Sequence, residues 1–108
     1  MAIQVNNISG STAVELIDIA GGTSDRNDYS ISGIKSMTIA NTYSSAVAVD
    51  LYVKNAGGTD YYIFKALSIP TGQTLKLEED DINFDNLTYN LYIKLSGGSD
   101  TVSVIIKY

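Results

Sequence analysis

The fold class is decided by residues 46–54, which read AVAVDLYVK. Apolar side chains occupy every second position of this stretch, and successive side chains of a β-strand point to opposite faces of a sheet. The period of two therefore predicts a strand with one buried face. That face is formed by Val47, Val49, Leu51 and Val53.

Other segments of the chain also have the character of strands. Clear alternation recurs over residues 88–95 and 101–108. Weaker signals, in which β-branched and aromatic residues gather between turn-forming clusters, are found over residues 13–19, 34–41, 61–67 and 73–77. No segment has a convincing helical period. We therefore predict an all-β protein, a single antiparallel β-sandwich of about seven or eight strands with immunoglobulin-like or jelly-roll strand order.

The length of 108 residues suits one domain with one core. We expect residues 34–108 to form the core of the sandwich. Residues 1–33 should add an N-terminal strand or arm and a polar loop to the same domain, the loop lying over residues 21–33. An arm that orders on a neighbouring subunit and an ordinary first strand are both compatible with this segment.

An internal repeat joins two parts of the chain. Residues 51–60 read LYVKNAGGTD, and residues 91–100 read LYIKLSGGSD. Because Gly-Gly permits the positive φ angles of a tight reversal, each copy predicts a β-hairpin. A further turn is predicted over residues 69–72, where Pro70 in second place and Gly72 in fourth favour type I.

Tyrosines provide the candidate interaction surface. Tyr52 and Tyr92 hold equivalent places in the two repeats and should point away from the apolar face of their strands. Together with Tyr62 they form a surface that could anchor a partner. The alternative is that these tyrosines stand on the outer face only because tyrosine suits strands.

The composition argues against catalysis. The chain has no histidine and no cysteine, so the commonest general base, the usual zinc ligands and the thiolate nucleophile are missing. The four carboxylates of residues 78–81 predict a solvated loop rather than a glycosidase pair. Residues 81–85 begin like a calcium-binding EF-hand loop, but Asn86 and Tyr92 stand where that loop needs glycine and glutamate. We expect no enzyme, no cofactor and no metal.

Charge and hydropathy narrow the set of partners. The net charge is −5 with a single arginine, which argues against direct nucleic-acid binding. Apolar runs are too short for a membrane span, and the N-terminus lacks the basic and apolar regions of a signal peptide. We therefore expect synthesis in the cytosol and no membrane contact.

Two longer segments resemble a known group of proteins. Residues 38–52 read TIANTYSSAVAVDLY, and residues 61–77 read YYIFKALSIPTGQTLKL. They are similar to small virion proteins of tailed bacteriophages. In that group an Asn-Thr-Ser-Ser-Ala-Val-x-Val strand leads to a Tyr-Tyr-hydrophobic-hydrophobic-Lys strand and an Ile-Pro-x-Gly-x-Thr-Leu turn. The resemblance covers residues 37–108 and includes the closing strand over residues 102–108.

The resemblance implies a compact β-sandwich on the virion, without catalytic residues. Its function would be that of a capsid cement or decoration protein, with the major capsid protein or other virion proteins as partners. A homo-oligomer is implied, and a trimer is favoured. The alternative is a neck, tail or fibre component that binds a carbohydrate or receptor, with Tyr52, Tyr62 and Tyr92 as stacking platforms. A flat apolar patch that reaches across subunits would favour assembly, and a concave aromatic groove would favour sugar binding.

Overall fold

The computed structural model describes residues 3–17, 34–82 and 88–107. These ranges contain eight β-strands and no helix. The strands are β1 (Ile3–Ser9), β2 (Val14–Ile17), β3 (Ser36–Asn41), β4 (Val47–Asn55), β5 (Asp60–Ile69), β6 (Thr74–Glu78), β7 (Tyr89–Leu95) and β8 (Thr101–Lys107).

The strands form two four-stranded antiparallel sheets. One sheet has the order β1-β8-β3-β6 and the other has the order β2-β7-β4-β5. The first strand pairs with the last, the second with the seventh, the third with the sixth and the fourth with the fifth. This nested pairing is the strand order of a jelly roll, an antiparallel ribbon rolled into two sheets. The predicted all-β sandwich is confirmed, and its strand order is the jelly-roll alternative.

The core lies between the two sheets and follows the predicted alternation. Val47, Val49 and Leu51 have no exposed surface, and Val53 is half-buried against the core. From the facing sheet, alternate residues of β3 and β8 meet them. The other fully enclosed apolar side chains include Leu16, Ile17, Met37, Ile39, Leu91, Ile93, Leu95, Val104 and Ile106. Burying a side chain of this size stabilises the fold by about 1.5–3 kcal/mol.

The first repeat forms the predicted hairpin, in which β4 pairs with β5. The reversal is closed by a 3.1 Å hydrogen bond from Asn55 N to Thr59 O, and the Asn55 side chain accepts a second one from Thr59 N. Gly58 adopts a φ of 87° at the last loop position. This arrangement suits a three-residue hairpin loop, in which the final residue is left-handed.

The second repeat does not form a hairpin, so that prediction is wrong. Strand β7 lies in one sheet and β8 in the other, and the turn between them crosses from sheet to sheet. The turn is organised by Asp100, which is 7% exposed and accepts hydrogen bonds from Gly97 N (2.8 Å) and Ser96 Oγ (3.2 Å). Where the hairpin has Asn55 to cap its turn, this copy has Leu95, which is fully buried. The chain therefore stays in the core until Leu95 and then turns away.

The proline turn is displaced by one residue from its predicted place. Gln73 N donates a 3.1 Å hydrogen bond to Pro70 O, so the turn spans residues 70–73 rather than 69–72. Gly72 then occupies the third position with a φ of 74°. A positive φ at that position is characteristic of a type II turn, not of type I.

Asn41 ties three parts of the sandwich together at the end of β3. Its side chain is buried, and its Nδ2 donates 2.8 Å hydrogen bonds to Ser45 O and to Ile69 O. Its Oδ1 accepts a 2.8 Å hydrogen bond from Tyr43 N. One amide thus joins β3, the loop before β4 and the end of β5, which lies in the other sheet.

Residues 3–17 supply one strand to each sheet, since β1 pairs with β8 and β2 pairs with β7. The predicted polar loop over residues 21–33 lies outside the described residues. So does most of the segment at residues 81–85 that begins like a calcium loop.

Candidate interaction surfaces

The structure brings Tyr52, Tyr62 and Tyr92 together on the outer face of one sheet. Tyr52 on β4 lies directly across from Tyr62 on β5 and from Tyr92 on β7. The Tyr52 and Tyr92 rings are stacked, with centroids 5.6 Å apart and planes 8° from parallel. The Tyr52 and Tyr62 rings are tilted by 46° at 5.2 Å. The three side chains therefore form one tyrosine row across three strands.

The middle ring of the row is enclosed by its neighbours. Tyr52 is 5% exposed although it points away from the core, whereas Tyr62 is 45% exposed. Burial raises the pKa of the Tyr52 phenol above its ordinary value of 10.0, and the nearby negative charge of Asp60 raises it further. The predicted orientation of Tyr52 is found, but this ring is not an exposed anchor.

Lysine side chains lie over the two end rings of the row. The Lys54 ammonium lies 4.9 Å from the centroid of Tyr92, and the Lys65 ammonium lies 4.8 Å from that of Tyr62. Cation–π contacts of this kind are worth about 0.5–1 kcal/mol at exposed sites. The ring faces are thus engaged by lysines and by each other. A sugar that stacked on this surface would first have to displace a lysine, so the row is better suited to stabilising the sheet than to binding a sugar directly.

A cleft opens beside the tyrosine row. Its volume is about 450 Å³, and its charged lining residues are Asp50, Lys65 and Lys94. Strand β5 is irregular here: Ala66 has a φ of 54°, and its N–H donates a 2.7 Å hydrogen bond to Asp50 Oδ1. A left-handed alanine is uncommon outside turns. The Asp50 carboxylate holds it in place by satisfying an amide that the irregular pairing leaves out of the ladder.

The opposite sheet carries exposed apolar side chains on its outer face. Ile3 is 61% exposed, Val5 is 68% exposed and Ile105 is 36% exposed. Val5 and Ile105 are direct cross-strand partners on β1 and β8. These three residues form an apolar strip, next to a shallow depression of about 250 Å³ between the two strands. This strip was not predicted from the sequence, although Ile3 and Val5 alternate with the polar residues Gln4 and Asn6.

The remaining polar clusters have structural explanations. Glu78, Glu79, Asp80 and Asp81 are all exposed, as predicted for a solvated turn. Asp81 Oδ2 accepts a 2.9 Å hydrogen bond from Glu78 N and so closes that turn. Within residues 3–17, 34–82 and 88–107, no group of three or more histidine, cysteine, aspartate or glutamate residues could hold a metal ion. The same ranges contain no helix of the length and hydropathy that crossing a membrane requires.

Comparison with known proteins locates the fold among solved structures. The chain is similar to the crystal structure of PirA, at 15% identity and a TM-score of 0.54, over 98% of this chain and 92% of that one. It is also similar to a chain of infectious bursal disease virus, Gx strain, at 10% identity and a TM-score of 0.44, and to the VP2 subviral particle of that virus, at 15% and 0.34. Those two matches cover 97% and 98% of this chain, which spans about a third of each virus chain (32% and 33%).

These similarities are structural and have no counterpart in sequence families. No protein-family model matches the chain, and no curated protein matches it. At 15% identity the match to PirA shows a shared fold and nothing further. The TM-scores of the virus chains are below 0.5, which is too low to indicate a shared function. The resemblance to virion proteins of tailed phages stays a prediction.

Proposed function

We propose that this protein is a non-enzymatic structural protein of a tailed-phage virion, and that it acts as a cement protein on the assembled head. The observation that carries the proposal is the apolar strip of Ile3, Val5 and Ile105 on the outer face of a sheet. Large apolar side chains grouped on an open surface favour contact with another protein. The resemblance over residues 37–108 supplies the class of partner, which is the major capsid protein.

The physical role follows from binding an assembled lattice. A folded domain that docks where capsid subunits meet, and that does not bind the separate subunits, stabilises the lattice by mass action. The strip belongs to β1 and β8, which are paired without interruption from Ile3 to Ser9. The docking surface is therefore preformed, and little conformational entropy is lost on binding. The absence of histidine and cysteine from the whole sequence supports a role without catalysis.

The test is sedimentation with heads of the source phage that were assembled without this protein. We expect the wild-type protein to sediment with the heads and to raise their melting temperature. Ile105→Lys should weaken binding at least about tenfold, because it places a charge in the apolar strip. Leu67→Lys is the matched control, since Leu67 is 38% exposed but lies on the other sheet. A wild-type protein that stays in solution would exclude the cement function.

The second candidate is a carbohydrate-binding module of a neck, tail or fibre. It is favoured by the cleft of about 450 Å³, which offers a carboxylate from Asp50 and ammonium groups from Lys65 and Lys94. Lys65 also contacts the half-exposed ring of Tyr62. Acidic oligosaccharides titrated against labelled protein should then shift the amide signals of Lys65 and Ala66, and Tyr62→Ala should reduce the affinity. Unchanged spectra at millimolar sugar would leave the cement function as the one candidate.

A further inference from the structure

The outer edge of β1 carries backbone groups that no described residue pairs with. Strand β1 is at the end of its sheet, with β8 on one side only. Successive residues of an antiparallel strand direct their backbone N–H and C=O groups alternately toward the paired strand and away from it. The hydrogen bond from Gly10 N to Asp100 O shows that Gly10 directs its N–H toward β8. The even-numbered residues of β1 therefore bond to β8. The N–H and C=O groups of Ile3, Val5, Asn7 and Ser9 point to the open edge.

Among the four edge strands of the described ranges, β1 is the one whose own residues include none of the usual protective features. Proteins guard exposed edges with charges, bulges, proline or short strands. Strand β6 carries Lys76 and Glu78, and β5 has two register shifts and Lys65. Strand β2 has four residues, a register shift and Glu15. Strand β1 has seven residues, no charge, no proline and an unbroken register over Ile3–Ser9.

We propose that β1 pairs with β1 of a second copy of this chain, antiparallel, around a two-fold axis at Val5. A two-fold axis makes the same edge serve both copies, so one surface is complementary to itself. Val5 would lie opposite Val5 of the second copy, and Ile3 opposite its Asn7. All of these residues point their backbone groups outward, so three residue pairs would form and the two sheets would join into one of eight strands.

The side chains and the length of β1 together favour this register among those that the backbone permits. Val5 already lies beside Ile105 on the outer face. With the axis at Val5, the two pairs form one apolar row across the interface, in which the two valines are central and the two isoleucines flank them. Shifting the register by two residues in one direction would place Val5 beside the polar Asn7 and interrupt this row. Shifting it in the other direction would place Val5 beside Ile3 but would leave only two residue pairs within β1 instead of three. Cross-strand apolar contacts of this kind stabilise a sheet.

The charge distribution is compatible with self-association despite a net charge of −5. Strand β1 is uncharged, and the acidic run of residues 78–81 follows β6 at the opposite edge of the same sheet. The two acidic runs would therefore lie at the far ends of the joined sheet. An interface of one short strand per copy is small, so we expect a dissociation constant in the micromolar range.

The test is sedimentation equilibrium of the purified full chain from about 1 to 500 µM, without capsids. We expect the mass to rise from that of an 11.6 kDa monomer to twice that value. Val5→Pro should weaken dimerisation at least about 30-fold, because each copy loses an edge N–H. The bonds to β8 use the even-numbered residues and remain. Lys76→Pro is the matched control, since it removes an outward N–H from the other edge of the same sheet and should leave the dimer intact.

A second measurement covers the case in which Val5→Pro disturbs the fold. Amide hydrogen exchange of Ile3, Val5 and Asn7 in the wild-type protein should slow as the concentration rises through the dissociation constant. Three results would each overturn the proposal: a monomer at 500 µM, a trimer that survives Val5→Pro, or edge amides whose exchange does not depend on concentration. A trimer would agree instead with the oligomer that the resemblance implies. The dimer is tested without capsids, so a failure of the cement function would not overturn it.

Discussion

Replacing Asn41 by alanine removes three hydrogen bonds at a single position. The bond to Ile69 O is buried, and the bonds to Ser45 O and from Tyr43 N are partly buried. A buried group left without a partner costs about 1–3 kcal/mol, and a partly buried bond contributes about 1 kcal/mol. We therefore expect Asn41→Ala to lower the free energy of unfolding by about 3–5 kcal/mol. This is a large part of the stability of a small domain, which is typically about 5–15 kcal/mol.

Urea unfolding followed by circular dichroism measures this loss directly, provided that the transition is two-state. Asn55→Ala is the matched control. Its side chain accepts one exposed hydrogen bond, from Thr59 N, so we expect a loss of about 0.5–1 kcal/mol. If Asn41→Ala cost no more than Asn55→Ala, Asn41 would not be the tie between the two sheets that its contacts indicate.

Asn41→Asp separates the loss of hydrogen bonds from the loss of volume. The carboxylate keeps the shape of the amide but turns both donors into acceptors, which would face the carbonyl oxygens of Ser45 and Ile69. The folded protein should therefore favour the protonated acid and raise the pKa of this carboxyl. The variant should be most stable at low pH, below the pKa of an unfolded aspartate, and should lose stability as the pH rises. A variant with the pH profile of the wild type would contradict this account.

Further predictions concern the sheet-crossing turn and the tyrosine row. Gly97→Ala should destabilise the protein by about 2 kcal/mol in urea unfolding, because its Cβ would lie 2.7 Å from Oδ1 of the buried Asp100. Gly57→Ala, whose Cβ would meet nothing closer than 3.4 Å, should be neutral, and equal losses would contradict the reasoning. The raised pKa of Tyr52 means that the unfolded chain loses this proton at lower pH than the folded protein does. The stability of the wild type should therefore fall relative to that of Tyr52→Phe above about pH 10, and a constant difference from pH 8 to 11 would count against it.

Features that depend only on residues close together in the chain could be predicted from the sequence. The alternation of Val47, Val49 and Leu51 predicted both the strand and its buried face, because burial on one side of a sheet demands a period of two. The same reasoning placed Tyr52 and Tyr92 on the outer face. It could not show that Tyr52 is enclosed, because the enclosing rings belong to other strands. Tyr62 lies opposite Tyr52 because the register is unbroken from the hairpin loop to this pair, and so depends on the three-residue length of that loop.

The strand order could not be predicted from the sequence, because it depends on how the turn within each repeat is capped. Two stretches with the same Gly-Gly spacing reverse the chain within one sheet in one case and between sheets in the other. The difference lies in the residue that precedes each turn, where polar Asn55 caps its own loop and apolar Leu95 belongs to the core. The residue before each turn, and not the glycines within it, distinguishes the hairpin from the turn that crosses between the sheets.

The nested pairing of strands has a consequence for the synthesis of this protein. Ile3 pairs with Lys107, so β1 leaves the ribosome long before its neighbour in the sheet has been translated. At about 5–20 residues per second, that interval lasts roughly 5–20 seconds. Throughout it both edges of β1 are open, and pairings between strands so distant in sequence also form slowly. The nascent chain is thus most vulnerable to unwanted association at the strand that the finished fold leaves least protected.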